Sequence, residues 1–130
     1  MAQVSEADII HFVDNYVATL LWSSTDVDSD GNTVELGMYE HTDELYSESA
    51  IECRDFIEAN TGALSMMMNI VPGYDWGSAG HDFALTRNRH GAGFWDRGAG
   101  DVGDRLTVMA HAAGDAYVWL NMDGKVELGL

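Results

Sequence analysis

From Ser5 to Trp22 the apolar residues Ile9, Phe12, Val13, Tyr16, Val17, Leu20 and Leu21 recur at three- and four-residue intervals. That is the spacing of one face of an α-helix. Ser5 followed by Asp8 gives an N-cap and an acid in the first turn, where the helix dipole favours it. The Ser-, Asp- and Gly-rich run from Ser23 to Asn32 predicts a loop. A second helix is predicted from about Thr42 to Asn60, with Leu45, Ser49, Cys53, Phe56 and Ile57 on one face and acids on the other. Asn60 and Gly62 are expected to close it. Residues 63–69 are rich in Met and predict a short helical turn, and Val71 to Gly80, with the only Pro and three Gly, predicts a connecting loop.

Beyond that loop the period changes. His81 to Arg87 and Gly93 to Arg97 are expected as two strands joined by the turn Asn88-Arg89-His90-Gly91. Asp101 to Ala113 places Val102, Leu106, Met109 and Ala110 on one helical face, and Gly114 is a natural stop. Ala116 to Met122, Asp123-Gly124 and Lys125 to Leu128 form a hairpin signal. The fold class expected is α+β: two N-terminal helices, a β-hairpin, a helix and a second β-hairpin, making a small antiparallel sheet packed on helices. One domain over 1–130 is expected, with an acidic helical part at 1–70 and a hairpin–helix–hairpin part at 81–130.

Composition changes this picture through charge. The chain has 130 residues, 46% of them hydrophobic, enough for a packed core without staples. It carries 22 Asp and Glu against 6 Lys and Arg, a formal net charge of −16. Residues 1–60 hold fourteen acids and the single base Arg54, whereas residues 61–130 hold eight acids and five bases. Such a field repels nucleic acid and anionic membrane and attracts basic surfaces. A lone cysteine, Cys53, excludes an intramolecular disulfide, and Glu6 and Asp8 interrupt any apolar leader. A cytoplasmic location and no membrane span are expected.

Several motifs suggest chemistry and fall short of it. Asp26-x-Asp28-x-Asp30-Gly31 opens like a calcium loop, but the twelfth position, which should supply a bidentate Glu, is Gly37. Gly98-x-Gly100-x-x-Gly103 fits a dinucleotide fingerprint, yet Asp101 and Asp104 stand where pyrophosphate would dock. His81, Asp82, His90 and Asp96 are candidates to converge on the first hairpin, although neighbouring strand residues point to opposite faces. Arg87, Arg89 and Arg97 form the one basic cluster and are expected to pair with Asp82, Asp96 and Asp101. Cys53 falls on a buried helix face and no Ser has a nucleophile-elbow context. No metal and no cofactor is expected.

The stretch His81-Asp82-Phe83-x-Leu85-Thr86-Arg87-Asn88-x-His90-Gly91-Ala92-Gly93-Phe94-Trp95-Asp96-Arg97-Gly98 resembles the signature of a family of small acidic proteins encoded by bacteriophages. Further similarity lies at Leu21 to Asp26, at Asp55-Phe56 with Ala59-Asn60, at Gly103 to Thr107, and at Asp123-Gly124-Lys125. Where the family pattern usually has Trp this chain has Ala84, and where it usually has Gly this chain has Arg89. The resemblance implies a phage or prophage origin and action in the host cytoplasm, and brings no catalytic residues with it.

The leading expectation is a non-enzymatic accessory protein whose acids imitate nucleic-acid phosphates and occupy a basic groove on a host DNA-acting or defence protein. The partner-binding residues expected are Asp26, Asp28, Asp30, Glu40, Asp43, Glu44, Glu48, Glu52, Asp55 and Glu58, paired with groove Lys and Arg by steering and counterion release. The alternative is a small enzyme or ligand-binding domain built on the polar hairpin residues His81, Asp82, Arg87, Asn88, His90, Trp95, Asp96 and Arg97. A concave pocket joining these side chains would favour it. A third account is adaptation to high salt, in which the charge serves no partner.

Overall fold

The computed structural model describes residues 4–129. Among them the chain forms α1 (Glu6–Trp22), β1 (Thr25–Val27), β2 (Thr33–Glu35), β3 (Glu40–His41), α2 (Asp43–Ile70), α3 (Trp76–Arg87), α4 (Asp101–Ala112), β4 (Val118–Leu120) and β5 (Lys125–Leu128), with 3-10 turns at Leu36–Met38 and Phe94–Asp96. The fold is α+β. β1 and β2 pair antiparallel as a separate ribbon, and the other sheet has the order β3-β5-β4. Its β4–β5 pair is the expected hairpin, while β3 joins β5 in parallel, with Glu40 opposite Lys125. No helix among the described residues is long and apolar enough to cross a membrane.

α1 starts as its pattern predicts, with a reciprocal capping box between Ser5 and Asp8. Its apolar face, including Phe12, Tyr16 and Leu20, is buried. α2 does not stop at Asn60. Asn60 leaves helical geometry at φ −131°, ψ 20° and donates its amide to the Phe56 carbonyl at 2.9 Å, so the closing signal is a kink rather than an end. The helix resumes because Leu64 and Met67 continue its buried face.

The largest correction concerns residues 76–97. Trp76–Arg87 is a helix, not a loop followed by a strand, and Gly93 to Arg97 is not a strand: its Phe94–Asp96 is a 3-10 turn. There is no hairpin between His81 and Arg97. Asp75 caps α3 by accepting from the Ser78 amide at 2.8 Å. The helix carries Gly77 and Gly80 despite their low helix propensity because α1 passes close beside it. A Cβ on Gly80 would meet the Phe12 carbonyl oxygen, and one on Gly77 would meet the His11 ring and the Asn15 amide.

α3 forms the middle of the molecule, with nine of its twelve residues buried. Phe83 stacks on Phe56 at 4.0 Å between centroids and lies 5.3 Å from Tyr16, and Phe56 also stacks on Phe94. Each such ring contributes roughly 1.5–3 kcal/mol on burial. Gly103, the last glycine of the dinucleotide-like motif, lets α4 approach the Phe94 carbonyl, where a Cβ would stand 2.6 Å away. Gly103 therefore serves packing here, while Gly98 and Gly100 adopt positive φ in the turn leading into α4.

Candidate functional site

The acids on α2 divide into a free set and a used one. Glu44, Glu48 and Glu52 follow at four-residue intervals, and Asp55 and Glu58 extend the row on the face away from Leu45, Cys53 and Phe56. Asp43, Glu44, Glu48, Asp55 and Glu58 are exposed and form no ion pair among the described residues. Glu52 is different. Its carboxylate accepts from the Arg87 guanidinium at 3.0 and 3.3 Å. The one base of the first half, Arg54, pairs with Glu6 at the start of α1, and that bond holds the Glu6 carboxyl below its usual range.

The loop acids do not join this row. Asp28 accepts the amides of Asp30 and Asn32, both at 2.9 Å, and so shapes the β1–β2 turn. Asp26 accepts the amides of Leu120 and Val27, both at 2.7 Å, and these backbone bonds lower its pKa. Asp30 is exposed at the turn. Asp26 therefore abuts β4, whereas Glu40 lies on β3, the opposite edge of the same sheet, about 10 Å away by strand spacing. The three loop acids form no metal-holding group, and no cluster of three or more His, Cys, Asp or Glu suited to an ion occurs among the described residues.

Of the polar residues of 81–97, His81, Asp82 and Arg97 meet in one cluster and the others find separate partners. Asp82, fully buried, accepts from Arg97 Nε at 2.9 Å and Nη2 at 2.7 Å and from the Tyr74 hydroxyl at 2.7 Å, and lies 3.1 Å from His81 Nδ1. Burial, then the Asp82 charge, drives the Tyr74 hydroxyl pKa far up. Arg97 thus finds its expected partner. Arg87 does not: instead of the acids near it in sequence it bonds Glu52, the Tyr16 hydroxyl at 2.9 Å and the carbonyls of Ala113 and Gly114. With 2% of its surface exposed, it is a buried tie between α1, α2, α3 and the end of α4. Burial opposes its charge, and Tyr16 and Glu52 outweigh that and raise its pKa.

Asn88 donates to the Ala116 carbonyl at 3.0 Å and accepts the Ala116 amide at 2.7 Å. Asp96 accepts the Gly93 amide within its own turn, and Trp95 is exposed. Asn88 and His90 share a cleft of about 350 Å³ that also takes in Ser23, Ser24, Thr25 and Asp115. Arg87 borders a different cleft of about 300 Å³ beside Glu52 and Phe56. Arg87 and the pair Asn88 and His90 therefore open onto different clefts among the described residues.

No protein-family model, curated protein or solved structure matches this chain.

Sequence reasoning missed Tyr74, Tyr16 and Asp115. Tyr16 read only as part of an apolar stripe, and its hydroxyl partner Arg87 lies 71 residues away. One signal was visible in the paired stretches Leu21 to Asp26 and His81 to Gly98. Parts of both, Ser23 to Thr25 and Asn88 with His90, line the same cleft.

Proposed function

We propose that this chain is a phage-encoded accessory protein that binds a basic, nucleic-acid-handling host protein through the exposed acids of α2. The observation that carries this reading is the row Glu44, Glu48, Asp55 and Glu58, which no base neutralises among the described residues. With Glu52 it spans about 21 Å of helix axis, a regular line of charge on a rigid element. A nucleic-acid strand offers basic grooves the same kind of line. Asp43 extends it at the helix N-terminus, where its charge is favoured. Asp26 contributes only to the long-range field, since backbone amides occupy both its oxygens, whereas Asp28 takes the Asp30 and Asn32 amides on one oxygen and keeps the other.

Affinity capture from bacterial lysate tests this reading, comparing the native chain with the quadruple variant Glu44→Lys, Glu48→Lys, Asp55→Lys and Glu58→Lys. Glu52 is left intact because it holds Arg87. The expected result is a basic, nucleic-acid-binding protein that duplex DNA displaces and the variant fails to retain. Equal capture by both chains, or no competition by DNA, overturns mimicry. Unfolding of the native chain in low-salt buffer would instead assign the charge to high-salt adaptation.

A further inference from the structure

Two clefts run along the groove between α2 and α4 and meet at Ala59 and Asn60, where α2 kinks. One is the 300 Å³ cleft beside Glu52, Phe56 and Arg87, and the other, of about 400 Å³, passes Met66 and Arg105. Asn60 is only 5% exposed, and its side chain is half used. Its amide nitrogen donates to the Phe56 carbonyl, which can only accept, so the orientation of the group is fixed and Oδ1 is left over. That oxygen accepts from no described residue and is not enclosed by protein. Polar atoms on residues so deeply buried are ordinarily paired. Here the partner has to come from outside, through a cleft.

The other polar groups of the 300 Å³ cleft decide what can enter it. Arg87 has nothing to give: its five N–H groups go to the carbonyls of Gly114 and Ala113, the Tyr16 hydroxyl and the two oxygens of Glu52. An anion therefore finds no free donor on it, and Glu52 is spent on the same guanidinium. Asp55, exposed and without an ion pair among the described residues, keeps its charge. What remains is two acceptors, Asn60 Oδ1 and the Asp55 carboxylate, beside the apolar Phe56, Phe83 and Met109. Their complement is an apolar stem that ends in cationic N–H donors. The exposed Arg105 repels such a group from the second cleft. A volume of about 300 Å³ is at the low end for ligand sites, which suits one side chain.

We propose that this cleft receives one Lys or Arg side chain of the basic partner, its methylene stem against Phe56 and Met109 and its N–H groups on Asn60 Oδ1 and the Asp55 carboxylate. The proposal rests on the reading of the α2 row as the docking face and adds an anchor to it. The row steers the partner by charge, and one desolvated side chain fixes the register.

The test titrates the full chain with N-acetyl-arginine methylamide and N-acetyl-lysine methylamide, followed by NMR at the Asn60 side-chain amide and the Met109 methyl. Saturable shifts at both groups are expected. The citrulline analogue keeps the stem and loses the charge, and is expected to bind roughly two- to fivefold more weakly than the arginine compound. Asp55→Asn is expected to weaken the arginine compound by a similar factor. Ala59→Leu, at an exposed helix position on the cleft wall, narrows the cleft without changing charge and is expected to abolish the shifts. No saturable response at Asn60 and Met109, or equal binding of the citrulline and arginine compounds, overturns the proposal. In affinity capture, Ala59→Leu is expected to reduce recovery of the partner although every α2 acid remains. Full recovery by Ala59→Leu, with loss by the quadruple variant, would overturn the anchor and leave mimicry standing. Capture of nothing by the native chain overturns mimicry and the partner's side chain as occupant together, even where the blocked amino acids bind.

Discussion

Asp82 and Arg97 form a two-pronged pair in which the carboxylate is fully buried and the guanidinium is about one-third exposed, 36% by side chain. The carboxylate depends on this partner more than the guanidinium does. Arg97→Ala strands a fully buried carboxylate and is expected to cost about 3–5 kcal/mol. Asp82→Ala leaves the Tyr74 hydroxyl without its acceptor while the part-exposed Arg97 turns to solvent, and about 2 kcal/mol is expected. Arg97→Lys cannot reproduce the fork and is expected to fall between native and Arg97→Ala. Urea unfolding measures all three, and losses below about 0.5 kcal/mol, typical of surface changes, would refute this account.

The contact of α1 with α3 depends on Gly80. Adding one methyl there forces it against the Phe12 carbonyl, a backbone atom that cannot rotate away. Gly80→Ala is expected to destabilise by about 1–3 kcal/mol, although alanine is the better helix former. Gly62, in the exposed part of α2, has open space where its Cβ would go, and Gly62→Ala is expected to be neutral or stabilising. Thermal unfolding of the two variants distinguishes packing from propensity.

How much of this was legible follows from burial. α1, the start of α2, α4 and the last hairpin each have one wet side, and their periods show it. α3 is buried nearly all round and carries Asp82, Thr86 and Arg87 inside with Gly77 and Gly80, so no polar face exists to mark a helical period. Its Asp75 cap was readable, but the glycines argued for a loop. The candidate site divides the same way. Exposure of Glu44, Glu48, Asp55 and Glu58 follows from local spacing, whereas the use of Glu52 by Arg87 and of Asp26 by Leu120 depends on partners 35 and 94 residues away.

Arg89 adopts φ 57°, the only non-glycine with positive φ among the described residues. Its side chain is exposed and makes no ion pair among the described residues. Arg89→Gly is expected to stabilise by about 0.5–1 kcal/mol through relief of left-handed backbone strain. Chemical denaturation reads this directly, and a loss of stability would show that Arg89 makes contacts worth more than the strain.

The Cys53 thiol is fully buried on α2, and burial, reinforced by the neighbouring Glu52 charge, pushes its pKa far up. Thiolate, not thiol, is the nucleophile. Native protein is expected to resist alkylation by iodoacetamide at neutral pH for as long as it stays folded, and to react at once in denaturant. Rapid modification without denaturant would mean that this part of α2 opens locally.

Asp26 ties the β1–β2 ribbon to β4 through the Leu120 amide, and its folded pKa lies below the ordinary 3.8. A carboxyl whose pKa falls on folding adds stability while it is ionised in both states, and that contribution disappears as pH falls through the folded value. Asp26→Asn keeps an oxygen acceptor but not its charge. It is expected to cost about 1 kcal/mol at neutral pH, a charge-assisted bond discounted for exposure to solvent. The gap between native and variant should hold above about pH 4 and close as the pH is lowered further, where the native Asp26 becomes neutral too. A gap that stays constant down to the acid limit would mean that the carboxylate charge contributes nothing at this joint.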